Sequence, residues 1–220
     1  MKIAFYTSNT HDGTMKGRYD DSEVRRNREN FFKKHDLDCI DAILLALTYE
    51  GNDYVRFNTI GSKYRGDGIV TPSTIELDSV FTRMSETPLM LPLADCIGAV
   101  LHDAKNDAWG IAHLGRHNLV QEGGTRNIEY MEQEFGSRPQ DIIVYLSAAA
   151  GKSSYPLHDF DNKSLHEVAV EQLMKAGVLE QNIEIDGRDT TKDPELFSHS
   201  NFLAGSQETD GRHAIVAIMR

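Results

Sequence analysis

Apolar positions along this chain fall into short runs whose period changes from one to the next. Ala42 to Tyr49 is apolar almost throughout and predicts a strand, and Ile142 to Leu146 predicts another that is buried on both faces. Ile97 to Leu101 and Ala108 to Ala112 are apolar on either side of Lys105-Asn106-Asp107, whose turn chemistry predicts an antiparallel return. Ile183 to Ile185 and Ala214 to Met219 supply late strands, and Met1 to Tyr6 is strand-like. Helical spacing appears elsewhere. Asp21-Ser22 followed by Val24, Asn27-Arg28 and Phe31-Phe32 reads as a capped helix ending near His35. Ile128, Met131 and Phe135 recur at helical spacing and Gly136 closes that helix; Leu165, Val168, Ala169, Gln172, Leu173 and Ala176 mark another, stopped by Gly177. Several short strands follow one another after Thr71-Pro72 without a crossover helix. That order predicts an α+β or layered α/β fold and not a regular βαβ winding. No linker, repeat or low-complexity tract divides the chain, so residues 1–220 are expected to form one domain.

Charge narrows the function classes. Lys and Arg number 23 against 34 Asp and Glu, a formal net charge of −11, and no basic run is long enough to track a phosphate backbone. Nucleic-acid binding is therefore disfavoured. No segment approaches the roughly 18 apolar residues of a membrane span, and the N-terminal apolar run is too brief for a signal sequence. A cytoplasmic location without membrane association is the expectation. Two cysteines, Cys39 and Cys96, cannot build a disulfide framework for a chain of this size, and a reducing compartment leaves Cys96 available for metal or nucleophilic chemistry.

Cys96 and His113 stand at the ends of the two runs that form the predicted hairpin, and would face each other across it. Thiolate and imidazole are preferred zinc ligands, but a third ligand must come from elsewhere in the chain. The plainer alternative is a buried free cysteine and a hydrogen-bonded histidine. Asp95, beside the thiol, could orient a substrate or simply satisfy a strand end. Ser147 to Tyr155 contains Gly151-Lys152-Ser153 but lacks the earlier glycine of a Walker loop, so it is not a P-loop; its small residues suit close backbone approach to a ligand.

In order, Gly66-Asp67-Gly68-Ile69-Val70-Thr71, Leu93-Ala94-Asp95-Cys96, His113-Leu114-Gly115, Leu196-Phe197-Ser198-His199 and Asp210-Gly211-Arg212-His213-Ala214 resemble the motifs of the YfiH/laccase-domain family. That family is also called the multicopper polyphenol oxidase or purine nucleoside phosphorylase family. The resemblance spans nearly the whole chain, including the Asn27-Arg28 pair. It implies a single-domain four-layer α/β/β/α arrangement with mixed sheets and a site in a surface cleft. It further implies a zinc-dependent purine nucleoside phosphorylase or nucleoside-cleaving enzyme, with purine nucleoside and phosphate as small-molecule partners. Zinc would be held by Cys96, by His113 and, where the family has a histidine before a glycine, by Glu50. The implied catalytic residues are Cys96, His113 and His117, and the implied substrate or phosphate contacts are Arg28, Asp95, Arg116 and Arg212.

This sequence departs from the family pattern at several points. Glu50 replaces an imidazole with a carboxylate, which zinc accepts at about 2.0 to 2.2 Å but which makes the site more anionic. Arg116-His117-Asn118 stands in place of Trp-Arg-Gly, and Ser200-Asn201 in place of two arginines. Two alternatives follow. One is a non-catalytic or substrate-switched paralogue that binds a ligand. The other is a metal-free cysteine hydrolase, such as a peptidoglycan-precursor editing enzyme, with Cys96 as nucleophile and His113 as base. Multicopper oxidation is disfavoured because nine scattered histidines do not supply the paired motifs of a trinuclear cluster.

Overall fold

The computed structural model describes residues 2–220; Met1, which opens the expected N-terminal strand run, lies outside them. In chain order the strands are β1 (Ile3–Thr7), β2 (Ile43–Leu44), β3 (Phe57–Thr59), β4 (Ser79–Thr82), β5 (Leu89–Leu93), β6 (Ile97–Asp103), β7 (Ala108–Leu114), β8 (Ile143–Leu146), β9 (Ile183–Ile185) and β10 (His213–Met219). The helices are α1 (Ser22–Lys34), α2 (Arg116–Val120), α3 (Gly123–Phe135), α4 (Leu165–Lys175) and α5 (His199–Leu203). Capping sets the longer helices as their sequences predict. The Asp21 carboxylate accepts from the Glu23 and Val24 amides at the start of α1, and Gly136 takes the left-handed conformation (φ 71°) that ends α3.

The strands form two mixed sheets, one of order β1-β10-β5-β2 and one of order β3-β4-β7-β6-β8-β9. In each, one or two parallel pairs join an otherwise antiparallel ladder. Alternation along the strands sorts their side chains into separate layers. Ala99, Leu101, Ala112 and Leu114 pack with Ile128 and Met131 of α3 and with Leu165 and Leu173 of α4. Val100, Trp109 and Ile111 turn the other way and meet Leu89, Leu91, Ile215 and Ala217 of the facing sheet. Met90, Ala214 and Val216 cover Phe31 and Phe32 of α1. The result is four layers, helix on sheet on sheet on helix, as the sequence resemblance implies.

Two elements differ from the sequence expectation. The strand expected over 42–49 is reduced to Ile43–Leu44, because its parallel partner β5 reaches Pro92, which has no N–H to carry the ladder past Met90. Cys96 and His113 do not lie directly opposite one another: His113 pairs with Gly98 and Ile97 with Leu114, so the cysteine stands one step before the strand. Both side chains have the parity of Gly98 and Ile111, and so point into the layer between the sheets, at its open end.

Candidate functional site

Four strand ends meet where the two sheets part: the last residues of β5 and β7 and the first of β6 and β10. Between β5 and β6 the chain crosses from one sheet to the other through Ala94, Asp95 and Cys96. Asp95 takes a positive φ of 72°, a strained conformation for a residue with a side chain, and three short hydrogen bonds hold it there. Its Oδ1 accepts from Thr190 Oγ1 at 2.7 Å, and its Oδ2 accepts from the Ser200 amide and Ser200 Oγ, both at 2.7 Å. The buried carboxylate thus ties α5 and Thr190 to the sheet crossing, acting as an anchor.

A cleft of about 420 Å³ opens at this junction, within the range of small-molecule sites. Cys96, His113, Gly115, Arg116, His117, Tyr49, Tyr155, His199 and Arg212 line it. Gly115 sets its tightest point. A Cβ there would stand 2.9 Å from Cys96 Sγ and 3.0 Å from His113 Nε2, so thiol and imidazole flank one small space that only glycine leaves open. Burial pushes the Cys96 thiol up to about 12, reinforced by the Asp95 charge, and brings the His113 imidazole down to about 4 against the pull of Asp78. Both groups are neutral near pH 7.

Thiol and imidazole thus converge as the sequence predicts, but the third zinc ligand does not join them. Among the described residues no group of three or more His, Cys, Asp or Glu side chains is placed to hold a metal ion. Leu47 and Tyr49 line the cleft, whereas Glu50 is exposed and is not among the lining residues, its amide donating to Thr48 Oγ1. The residues present do not fit a three-ligand zinc centre.

The cationic residues divide. Arg116 and His117 begin α2, whose start is fixed by Asn118 Oδ1 accepting the Gly115 amide at 3.0 Å. Arg116 is exposed and makes no ion pair among the described residues; His117 stacks on Tyr54 with ring centroids 4.6 Å apart. Arg212 commits Nη1 to Asp210 Oδ1 and the Gly211 carbonyl, leaving its other nitrogens without a protein acceptor among the described residues. Arg28 is different. It is buried, donates to the carbonyls of Met15, Gly17 and Gly68, and burial lowers it to about 10. It braces the loop before α1 and lines a smaller recess that shares Tyr49, Pro92 and Arg212 with the main cleft.

Three contributors were not singled out from sequence. Tyr49 and Tyr155 give the cleft its aromatic surfaces, and His199 reaches it from α5, its Nδ1 2.9 Å from Asp210 Oδ1. His199 belongs to the Leu196-Phe197-Ser198-His199 motif, and its distinguishing signal is the pairing of Ser-His before one turn with Asp-Gly-Arg after it.

Residues 7–168 match the family model described as multi-copper polyphenol oxidoreductase laccase. The chain belongs to this family. Among curated proteins it is similar to the purine nucleoside phosphorylase YlmD of Bacillus subtilis, 22% identical over 205 residues, covering 80% of this chain and 71% of that protein. Among solved structures it is similar to YlmD from Geobacillus stearothermophilus (TM-score 0.84, 19% identity, 99% of this chain and 92% of that one) and to the hypothetical protein YfiH of Bacillus licheniformis (TM-score 0.83, 18% identity, 99% and 93%). These structures share the four-layer fold of this family member.

Proposed function

We propose that this family member is a nucleoside-cleaving enzyme of the purine nucleoside phosphorylase kind, acting on a purine nucleoside with phosphate. The observation that carries the reading is the composition of the one cleft: Arg116 and the free side of Arg212 face the same space as Tyr49 and Tyr155. An unpaired guanidinium in a chain of net charge −11 suits an anion, and aromatic walls suit a purine ring. The similarity to a phosphorylase supports the same substrates.

Arg116, with His117 beside it and Arg212 opposite, holds phosphate against the sugar. A phosphate oxygen attacks the ribose C1′, the C1′–N9 bond breaks, and its electron pair leaves with the purine. Holding both reactants in one cleft supplies much of the rate by orientation alone. Cys96 and His113, neutral and at the deepest point, serve as hydrogen-bonding groups for sugar hydroxyls. Burial disfavours the charged forms of both groups, so proton transfer from the Cys96 thiol to His113, which the cysteine-hydrolase alternative requires, is costly in this cleft. Steady-state assays of inosine and adenosine with varied phosphate test the reading. Arg116→Ala is expected to raise the phosphate KM at least tenfold with little change in nucleoside KM; an unchanged phosphate KM removes Arg116 from the anion site.

A ligand-binding paralogue is the second reading, and the lack of a third metal-ligating side chain beside Cys96 and His113 among the described residues favours it. It predicts purine or nucleoside binding with no turnover under any phosphate concentration.

A further inference from the structure

His199 and Asp210 form a pair that the phosphorolysis scheme above does not use. The Asp210 carboxylate gathers three donors: Arg212 Nη1 at 2.6 Å, His199 Nδ1 at 2.9 Å, and the Lys16 ammonium. Partial burial would raise this carboxyl, but the hydrogen bonds from Arg212, Lys16 and His199 outweigh it and hold the group well below the usual carboxylate range. An ionised carboxylate can only accept, so Nδ1 of His199 must carry the hydrogen that lies between them. The tautomer is thereby fixed. Nε2, on the other side of the ring, is left for the cleft that His199 lines.

The backbone around this histidine is fixed on both sides. Ser198 Oγ accepts the Asn201 amide at 3.1 Å, and the Ser200 amide and hydroxyl are bound by Asp95, whose strained position the sheet crossing imposes. Asp95 so acquires a reason for its geometry: it sets α5, and α5 sets His199. The charged and titratable groups around the imidazole are Asp210, Lys16 and Arg212 on one side, Asp95 bonded to α5, and Tyr49, Cys96, His113, Arg116, His117 and Tyr155 in the same cleft. Among these, His113 is kept neutral by burial, and Asp95 is committed to Ser200 and Thr190. His199 is the histidine in the cleft whose ring is held by a carboxylate, the arrangement that equips an imidazole to take and give a proton.

We propose that His199, oriented by Asp210, is the general acid of the cleft and protonates the departing purine. The inference rests on the nucleoside-cleaving reading and adds a residue and a proton path to it. The His199 imidazolium gives its Nε2 proton to N7 of the purine as the C1′–N9 bond breaks. The bonding pair of that bond passes into the purine ring, which leaves as the neutral base. Hydrogen phosphate forms the new C1′–O bond and loses its own proton, which returns to Nε2, so ribose 1-phosphate leaves and the imidazolium is restored. Asp210 is a positioning residue; it holds Nδ1–H and so orients the ring without touching the substrate.

The test compares two ribosides with phosphate present. Inosine needs a proton on its leaving group, whereas p-nitrophenyl riboside releases a stabilised phenolate and needs none. His199→Gln is expected to lower kcat for inosine about a hundredfold or more while leaving p-nitrophenyl riboside turnover within a few-fold of wild type. Asp210→Asn should lower inosine kcat with little effect on nucleoside KM, and should shift the ¹⁵N resonances of the His199 ring away from the Nδ1–H tautomer. Equal loss on both substrates, or no loss on inosine, overturns the acid role while leaving the nucleoside reading intact. A wild type that turns over neither riboside overturns the nucleoside reading and this step with it.

Discussion

Gly115 leaves open the small space that Cys96 and His113 share, and its replacement is a sharp test of that geometry. Gly115→Ala places a methyl group within 3.0 Å of both functional groups, where the thiol and ring must shift. Such overpacking costs about 1 to 3 kcal/mol, and activity should fall at least tenfold. Urea denaturation and steady-state kinetics read the two effects. A variant with unaltered stability and rate would show that the two groups are not packed around that point. A second residue-scale consequence concerns pH. His113 and His213 are buried and both lowered to about 4 by desolvation, and neither ring nitrogen of His213 has a hydrogen-bond partner among the described residues. Their folded values lie below the ordinary value near 6.5, so the unfolded chain binds protons first. Stability is full above about pH 6.5 and declines toward pH 4, by up to about 1.4 kcal/mol per pH unit for each imidazole. His213→Leu removes one such group and should flatten the decline between pH 6.5 and 4.5, as measured by denaturant midpoints. An equal slope in the variant would mean that His213 protonates in the native state.

At the scale of elements, α5 is a five-residue helix tied to the sheet crossing by the Asp95 carboxylate. Asp95→Asn loses charge-assisted bonds to the Ser200 amide and hydroxyl, worth about 1.5 to 3 kcal/mol each at most. Amide exchange across 199–203 should accelerate markedly while that of β10 stays slow; unchanged exchange in α5 would mean that other contacts hold it. This dependence explains what sequence could and could not reveal. The helices α1, α3 and α4 and the hairpin β6–β7 were legible because each carries its own period and its own cap or turn. β3 was not, since Phe57–Thr59 is short and half-exposed, and its pairing is decided by β4. The same holds at the site. Cys96 and His113 were legible as a pair because one hairpin carries both. Glu50 lies in an irregular segment beyond a shortened strand, and the pairing of His199 with Asp210 depends on a turn closing eleven residues apart, so neither placement was fixed by local pattern.

At the scale of the molecule, two sheets that part at one end create a cleft supplied by strand ends from both. Gly98 helps set their spacing, because a Cβ there would stand 2.5 Å from Ile215 Cδ1 across the layer. The same architecture predicts how the site treats metal. With thiol and imidazole but no third donor beside them among the described residues, the purified protein should hold zinc weakly in competition with a chromophoric chelator, and Glu50→His should not tighten binding, because position 50 is not part of the cleft lining. Tighter binding by that variant would show that the 48–53 loop turns inward. The central claim is that this cleft joins phosphate to the sugar of a purine nucleoside. Its most direct measurement is the product formed from inosine and adenosine by the wild-type protein, followed with and without phosphate near pH 7. The account predicts free purine base and ribose 1-phosphate in equal amounts, formed only when phosphate is present. Nucleoside binding without any base release, at any phosphate concentration, would contradict it.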